Sequence, residues 1–115
     1  MAGLNCATPS SLAWPILQHA VDAFLAVPDD YAREAVRRFY WPVGGDPRIV
    51  AGESGAAGLA GLLAVVSEPG LAAVRTHLGL GPSSRVLLVN TEGATDPDSV
   101  RAICGAAPGE GRNTL

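Results

Sequence analysis

Two turns in the chain place polar side chains directly after an apolar run. Glu53 and Ser54 follow the run Ile-Val-Ala-Gly, and Asn90 and Thr91 follow the run Val-Leu-Leu-Val. A carboxylate, an amide and two hydroxyls can hydrogen-bond a polar ligand, and ligands of open α/β sheets bind at the carboxyl ends of strands. Glu53 and Ser54 are therefore candidate ligand-binding side chains, and Asn90 and Thr91 occupy the corresponding place in the second turn.

Each candidate also has a simpler interpretation based on local structure. Serine and threonine commonly cap helices or close turns, so Ser54 could cap the helix that follows it and Thr91 could serve its own turn. Glu53 could be a solvated carboxylate. These alternatives require no ligand, and the sequence leaves them open.

Dinucleotide binding is a third interpretation of the first turn, because a strand, a glycine-rich turn and a helix follow in the right order. The glycines, however, are Gly52, Gly55 and Gly58. Their spacing is G-x-x-G-x-x-G rather than G-x-G-x-x-G. Glu53 would also bring a negative charge to the place where a pyrophosphate binds. The pattern therefore disfavours a dinucleotide.

The elements that must position these turns can be predicted from periodicity and from helix start and stop signals. Five helices are expected, at 12–25, 28–41, 55–67, 71–78 and 95–104. Residues 85–89 are the clearest strand, and 48–51 are a weaker one. Val-Leu-Leu-Val has no polar alternation, which is typical of a strand buried on both faces in a parallel sheet. One strong and one weak strand cannot form such a sheet. We therefore expect its other strands to lie outside this chain.

Composition narrows the classes of function. The 115 residues carry a net charge of −3, and the eight arginines are scattered, so we expect no nucleic-acid partner. The apolar run Ala56 to Val66 is too short to cross a bilayer, and no signal peptide is visible, so we expect no membrane and a cytoplasmic protein. Cys6 and Cys104 lie far apart, without metal-ligand spacing, and are expected to be reduced thiols.

Several motifs, in one order along residues 1–103, carry a resemblance to a known family. They are Met-Ala-Gly-Leu at the start, Ser-Leu-Ala-Trp at 11–14, Gly-Asp-Pro-Arg-Ile-Val at 45–50, Gly-Glu-Ser-Gly-Ala at 52–56, Thr-Glu-Gly at 91–93 and Thr-Asp-Pro at 95–97. Together they resemble the closing third of the diaminopropionate ammonia-lyases. These enzymes depend on pyridoxal phosphate (PLP) and belong to the tryptophan-synthase-β type, called fold type II. They convert 2,3-diaminopropionate to pyruvate and ammonia by α,β-elimination.

The resemblance implies an α/β fold: the helix-rich C-terminal part of a fold type II PLP enzyme, with one or two parallel strands, several helices and an incomplete sheet. Residues 1–104 would form the C-terminal segment of the lyase domain, and 105–115 a flexible tail. In enzymes of this fold a hydroxyl or thiol after the last buried strand faces the pyridine nitrogen. The resemblance assigns that role to Thr91, with Asn90 as its neighbour, and places Glu53 and Ser54 along the cofactor cleft.

The chain contains no lysine, since all eight of its Lys and Arg residues are arginine. A PLP lyase binds its cofactor covalently through a lysine side chain. We therefore expect the isolated chain to be inactive, with no catalytic residue of its own. It would need the N-terminal portion of the same enzyme as a partner, and the parent enzyme is expected to be a homodimer acting on an amino acid. The alternative is a non-catalytic remnant or interaction module that docks through an exposed sheet edge.

Overall fold

A computed structural model describes residues 2–108 of the chain. Five α-helices and two short 3₁₀ helices form the described part. The helices are α1 (Trp14–Ala20), α2 (Asp29–Tyr40), α3 (Ala57–Ser67), α4 (Ala72–His77) and α5 (Pro97–Cys104), with 3₁₀ turns at Ala2–Leu4 and Pro69–Leu71. The prediction of a helix-rich chain is confirmed.

The longest helix, α2, follows directly from its sequence. Pro28 precedes it in extended conformation, Asp29 and Asp30 lie in its first turn, and Arg37 and Arg38 lie in its last. Acidic residues at the start and basic residues at the end complement the helix dipole. Its buried stripe consists of Ala32, Ala35, Val36 and Tyr40.

The core lies between α2 and α3 and is made mostly of small side chains. Its central cluster is Ala32, Ala35, Val36, Ala51, Ala56 and Ala60. Alanine lets the two helices approach closely, but each alanine buries little apolar area. The described chain therefore has a tight but small core.

Helix α3 is apolar around its whole circumference, yet its buried residues are confined to Ala60, Ala64 and Val65. Such a helix is expected to be buried on several sides. Within residues 2–108 no single helix is long and apolar enough to cross a membrane. Ala57–Ser67 taken together with Pro69–His77 meets that test by length and composition, but the pair is bent by 95°.

Helix α5 is attached to the end of α2 by side chains that reach its last carbonyls. The Arg37 Nε donates to the carbonyl of Ile103 at 3.0 Å, and the Trp41 Nε1 donates to that of Cys104 at 3.1 Å. Gly105 then ends the helix in left-handed conformation at φ 70°. Because a helix of this length is marginal on its own, these bonds and packing on α2 hold it in place.

The first predicted helix is shorter than expected. It was predicted over 12–25 but spans Trp14–Ala20, and the chain turns extended at Val21. None of its residues is buried, and it forms no helix–helix contact with the other described helices. Trp14 packs against Phe24, with 6.0 Å between the ring centroids. The apolar residues therefore keep a helical spacing beyond Ala20, where the helix itself ends.

The prediction of one or two parallel strands is not confirmed by this chain alone. Residues 85–89 and 48–51 lie outside the helices, but no β-strand is assigned to them or anywhere else in 2–108. The physical reason is the absence of neighbouring strands within the described residues, since a strand is defined by its hydrogen-bonded partners. Just beyond the ends of these two segments the chain does meet itself, because the Gly52 N–H donates to the carbonyl of Glu92 at 3.2 Å.

The predicted flexible tail at 105–115 falls largely on residues 109–115, which lie outside the described part of the chain. Within it, Ala106, Ala107 and Pro108 are half-buried, and the Tyr40 hydroxyl donates to the carbonyl of Ala107. The boundary between the domain and the tail stays a prediction.

Candidate functional site

The two polar turns predicted from sequence lie against each other, and two glycines make this possible. A Cβ atom on Gly52 would lie 2.9 Å from the carbonyl oxygen of Gly93, and one on Gly55 would lie 2.5 Å from that of Glu92 and would overlap the Asn90 Oδ1. Real Cβ atoms do not approach other atoms so closely. The first turn can therefore receive the second only with glycine at 52 and 55.

Glu53 is half-buried and connects the first turn to the start of α5. Its Oε1 accepts a hydrogen bond from the Ser99 Oγ at 2.6 Å. Ser99 in turn donates its backbone N–H to the Asp96 Oδ1 at 3.0 Å, which makes Asp96 the N-cap of α5. Asp96 therefore caps α5, and the view of Glu53 as simply solvated is wrong.

Ser54 has a different partner from the one its position suggested. Its Oγ accepts the backbone N–H of Gly3 at 3.0 Å. Helix α3 has Ala56 at its N-cap and no side-chain cap. The interpretation of Ser54 as the cap of that helix is therefore wrong. The hydroxyl instead anchors the start of the described chain on the first turn.

The second turn is held by hydrogen bonds within itself. The Asn90 Oδ1 accepts the backbone N–H of Glu92 at 3.2 Å, which is an Asx turn. The Glu92 carboxylate accepts the hydroxyl of Thr95. Thr91 lies between them, is exposed, and has no hydrogen-bond partner among residues 2–108. Of the four predicted site residues, Thr91 is the one whose side chain makes no hydrogen bond within the described residues.

The charge around the two turns is mostly negative. Glu53, Glu92 and Asp96 carry carboxylates here, while the arginine of α5, Arg101, pairs with Asp98 at 3.7 Å. Carboxylates repel an anionic phosphate but not a neutral ring nitrogen. The cluster can therefore offer a hydroxyl to an uncharged polar group, and it is unsuited to hold a phosphate.

Other chemistry-bearing residues lie elsewhere. No group of three or more His, Cys, Asp or Glu side chains that could hold a metal ion occurs in the described residues. The His19 Nδ1 is 2.8 Å from the carbonyl of Pro15 in its own helix. Both thiols are free: Cys6 is exposed, and burial raises the pKa of the half-buried Cys104.

The sequence identified the two turns but not the residues that fix them. It found Glu53, Ser54, Asn90 and Thr91, and the structure brings these four together. It missed Ser99, which is separated from Glu53 by 46 residues. The available signal was the pattern Asp96-x-x-Ser99, which marks the start of a helix but does not reveal a distant acceptor.

Comparison with known proteins found no matching family model, but it found relatives. The diaminopropionate ammonia-lyase of Escherichia coli (strain K12) is 40% identical over 103 residues, which are 90% of this chain and 26% of that enzyme. The enzyme of Salmonella typhimurium is 35% identical over 99 residues, which are 85% of this chain and 24% of that enzyme. The chain thus spans about a quarter of the length of the curated relatives it matches.

Solved structures give the same result for the fold. The crystal structure of the Escherichia coli enzyme in complex with D-serine matches with a TM-score of 0.82 and 39% identity, over 90% of this chain and 27% of that one. Its apo form matches with a TM-score of 0.75 and 38% identity, over 84% and 26%. The resemblance inferred from the sequence motifs is therefore confirmed over most of this chain.

Proposed function

We propose that this chain, which is related to the diaminopropionate ammonia-lyases, is the C-terminal segment of such a lyase and forms one wall of its PLP pocket. The complete enzyme would convert 2,3-diaminopropionate to pyruvate and ammonia. The observation that carries the proposal is Thr91: an exposed hydroxyl on a turn fixed against Gly52 and Gly55, in a chain with the fold of about a quarter of that enzyme.

The residues present fit one end of PLP. The Thr91 hydroxyl is available to the pyridine nitrogen, whereas the acidic surroundings disfavour the phosphate at this place. Asn90, Glu53 and Ser54 use their side-chain oxygens within the chain. We assign them to the cofactor site as residues that hold the Thr91 turn in place. The phosphate and the covalent lysine link would then come from the remainder of the enzyme.

PLP, when bound, supplies an electron sink for the elimination. Thr91 would donate its hydroxyl hydrogen to the pyridine nitrogen as a neutral partner, which would suit β-elimination. Glu53 and Ser54 would keep the first turn from shifting, and Gly55 would keep the second turn in contact with it.

The segments 48–51 and 85–89 would become parallel strands in the complete enzyme. The two segments end close together, because the residues that follow them, Gly52 and Glu92, share a backbone hydrogen bond. That arrangement is the one expected of two parallel strands whose carboxyl ends lie at one edge. It supports the α/β fold implied by the family.

The isolated chain would be inactive, because no lysine amine is available to hold the cofactor. Its partner would be the N-terminal, lysine-bearing portion of the same enzyme, and the assembled enzyme would be a cytoplasmic homodimer that acts on a small amino acid. A second candidate function is favoured by the exposed segment 86–89: a non-catalytic module that docks on a partner through this edge.

The test co-refolds this chain with a polypeptide comprising the Escherichia coli enzyme outside the matched segment. The absorbance spectrum of bound PLP and the release of pyruvate are measured for the wild type and for Thr91→Val. We expect the complex to bind PLP and release pyruvate, and Thr91→Val to shift the cofactor spectrum and lower turnover about tenfold to hundredfold, as for the loss of one hydrogen bond.

Thr76→Val is the matched control, because it also removes a threonine hydroxyl. The hydroxyl of Thr76 lies in α4 and donates to the carbonyl of Ala72. It should leave the spectrum unchanged. Identical spectra for wild type and Thr91→Val would refute the cofactor role of Thr91. A complex that forms without binding PLP would favour the non-catalytic module.

A further inference from the structure

Glu92, the residue directly after Thr91, is fixed at three points. Its backbone N–H donates to the Asn90 Oδ1 at 3.2 Å, and its carbonyl accepts the Gly52 N–H at 3.2 Å. Its carboxylate accepts the hydroxyl of Thr95. This one residue is therefore bound to its own turn, to the first turn and to the segment that leads into α5.

The Glu92 carboxylate also lies against the backbone of the first turn. A Cβ atom on Gly52 would lie 3.0 Å from the Glu92 Cδ and 3.0 Å from its Oε2, and Gly52 itself is buried. Glu92 is half-buried, although glutamate is mostly an exposed residue in proteins. Its side chain is thus used in the contact between the two turns.

Thr91 differs from Glu92 in each of these respects. It is exposed, and its side chain makes no hydrogen bond within the described residues. The direction of the Thr91 hydroxyl is therefore set by the backbone on either side of it, and on the C-terminal side that backbone is fixed through Glu92. Such control matters for a reaction, because misplacing a group by about 1 Å can lower a rate about a hundredfold.

We infer that Glu92 is a positioning residue for the lyase reaction: its carboxylate, held by the Thr95 hydroxyl, keeps Thr91 directed at the pyridine nitrogen of PLP. This role rests on the proposed function, because it requires Thr91 to face the cofactor. Glu92 serves as a hydrogen-bond acceptor, and its charge is not needed. Its removal should therefore affect the reaction only while Thr91 keeps its hydroxyl.

The first measurement needs no cofactor. Amide hydrogen exchange at Gly52 and Glu92 is followed in the full chain for the wild type, Glu92→Ala and Glu92→Gln. We expect about tenfold faster exchange in Glu92→Ala, because the turns separate more often without the bond from Thr95. Glu92→Gln keeps an oxygen that accepts this hydroxyl and should exchange like the wild type. Equal exchange in all three proteins would overturn the positioning role.

The second measurement uses the full chain in complex with the remainder of the Escherichia coli enzyme. We expect Glu92→Ala to shift the absorbance spectrum of bound PLP in the same direction as Thr91→Val. It should lower kcat about tenfold with a nearly unchanged KM for diaminopropionate, and Glu92→Gln should restore both spectrum and kcat. In the Thr91→Val background, Glu92→Ala should have no further effect on the spectrum or on kcat.

Two more variants check that the effect comes from this bond. Thr95→Val removes the donor instead of the acceptor, so it should reproduce the spectrum of Glu92→Ala and add nothing to it. Glu68→Ala is the matched control, because Glu68 also accepts a hydroxyl hydrogen bond, from Tyr31, but lies at the end of α3. It should leave the cofactor spectrum, kcat and the exchange of the Gly52 amide unchanged.

The outcomes separate the role of Glu92 from the proposed function. A shifted spectrum in Thr91→Val without one in Glu92→Ala overturns the role of Glu92 and leaves the function standing. Equal damage by Glu92→Gln, or a further loss from Glu92→Ala in the Thr91→Val background, overturns it too, because Glu92 would then act through its own charge. Unchanged spectra in both single variants, or no PLP-binding complex with the wild-type chain, count against the proposed function and remove the role of Glu92 with it.

Discussion

Replacing Gly55 by alanine tests whether close contact of the two turns organises the candidate site. The added Cβ would lie 2.5 Å from the carbonyl oxygen of Glu92 and 2.9 Å from its nitrogen, and would overlap the Asn90 Oδ1. Two of these three atoms are backbone, and that backbone is fixed by the bond from the Gly52 N–H. Relief therefore requires the turns to separate. Overpacking of this kind costs about 1–3 kcal/mol, and we expect Gly55→Ala to reach the upper part of that range.

Gly58→Ala is the control, because it adds the same methyl group within α3. Its Cβ would lie 3.5 Å from the Leu88 Cδ2, which is ordinary contact. An alanine in a helix stabilises it by about 0.5–1 kcal/mol relative to glycine. Neither glycine has a positive φ, so backbone strain does not enter the comparison.

The assay is urea unfolding of the full chain followed by far-ultraviolet circular dichroism. We expect the free energy of unfolding to fall by about 2–3 kcal/mol in Gly55→Ala and to stay equal or rise in Gly58→Ala. Cross-peaks of Asn90 and Glu92 in nitrogen–proton spectra should move in the first variant. If Gly55→Ala is as stable as the wild type, the turns are not held by this contact and the reasoning fails.

Two further predictions concern single contacts. Glu53→Ala and Ser99→Ala should show a coupling energy of about 1 kcal/mol in a double-mutant cycle of urea unfolding. As a control, the effects of Glu68→Ala and Ser99→Ala on the free energy of unfolding should be additive. Additive effects of Glu53→Ala and Ser99→Ala would contradict the hydrogen bond between these two side chains. The hydroxyl of Tyr31 donates to the Glu68 carboxylate, which raises the pKa of Tyr31 above its ordinary value. Stability from this bond is therefore present below the ordinary phenol pKa of about 10 and lost as the pH rises through the higher folded value. Absorbance titration of tyrosinate should show one phenol ionising earlier in Glu68→Gln than in the wild type, and unchanged curves would refute the contact.

Local signals in the sequence predicted the helices better than the contacts between them. Pro28 with two aspartates, and Asp96 with Pro97, mark helix starts through dipole and capping effects that act within one turn. The same local logic failed at Ser54, whose hydroxyl bonds Gly3, a residue 51 positions away. Nothing in the immediate neighbourhood of a serine indicates such a partner.

The strands show a different limit of the sequence. Val-Leu-Leu-Val was interpreted as a buried strand, and Leu88 does face α3, but Leu87 and Val89 are exposed. The apolar pattern indicates that both faces of the segment need to be covered, and the described residues cover only the face of Leu88. Within the described residues, the apolar pattern and the exposure of Leu87 and Val89 therefore disagree.

The open segment at 86–89 also bears on the fate of the chain in a cell. An apolar backbone edge that stays uncovered is a template for aggregation and a target for chaperones and proteases. Once the edge is covered, chaperones and proteases no longer recognise it. If the proposed N-terminal portion of the lyase covers this edge, the steady-state amount of this polypeptide should follow the supply of that portion, with any surplus degraded or deposited as insoluble protein.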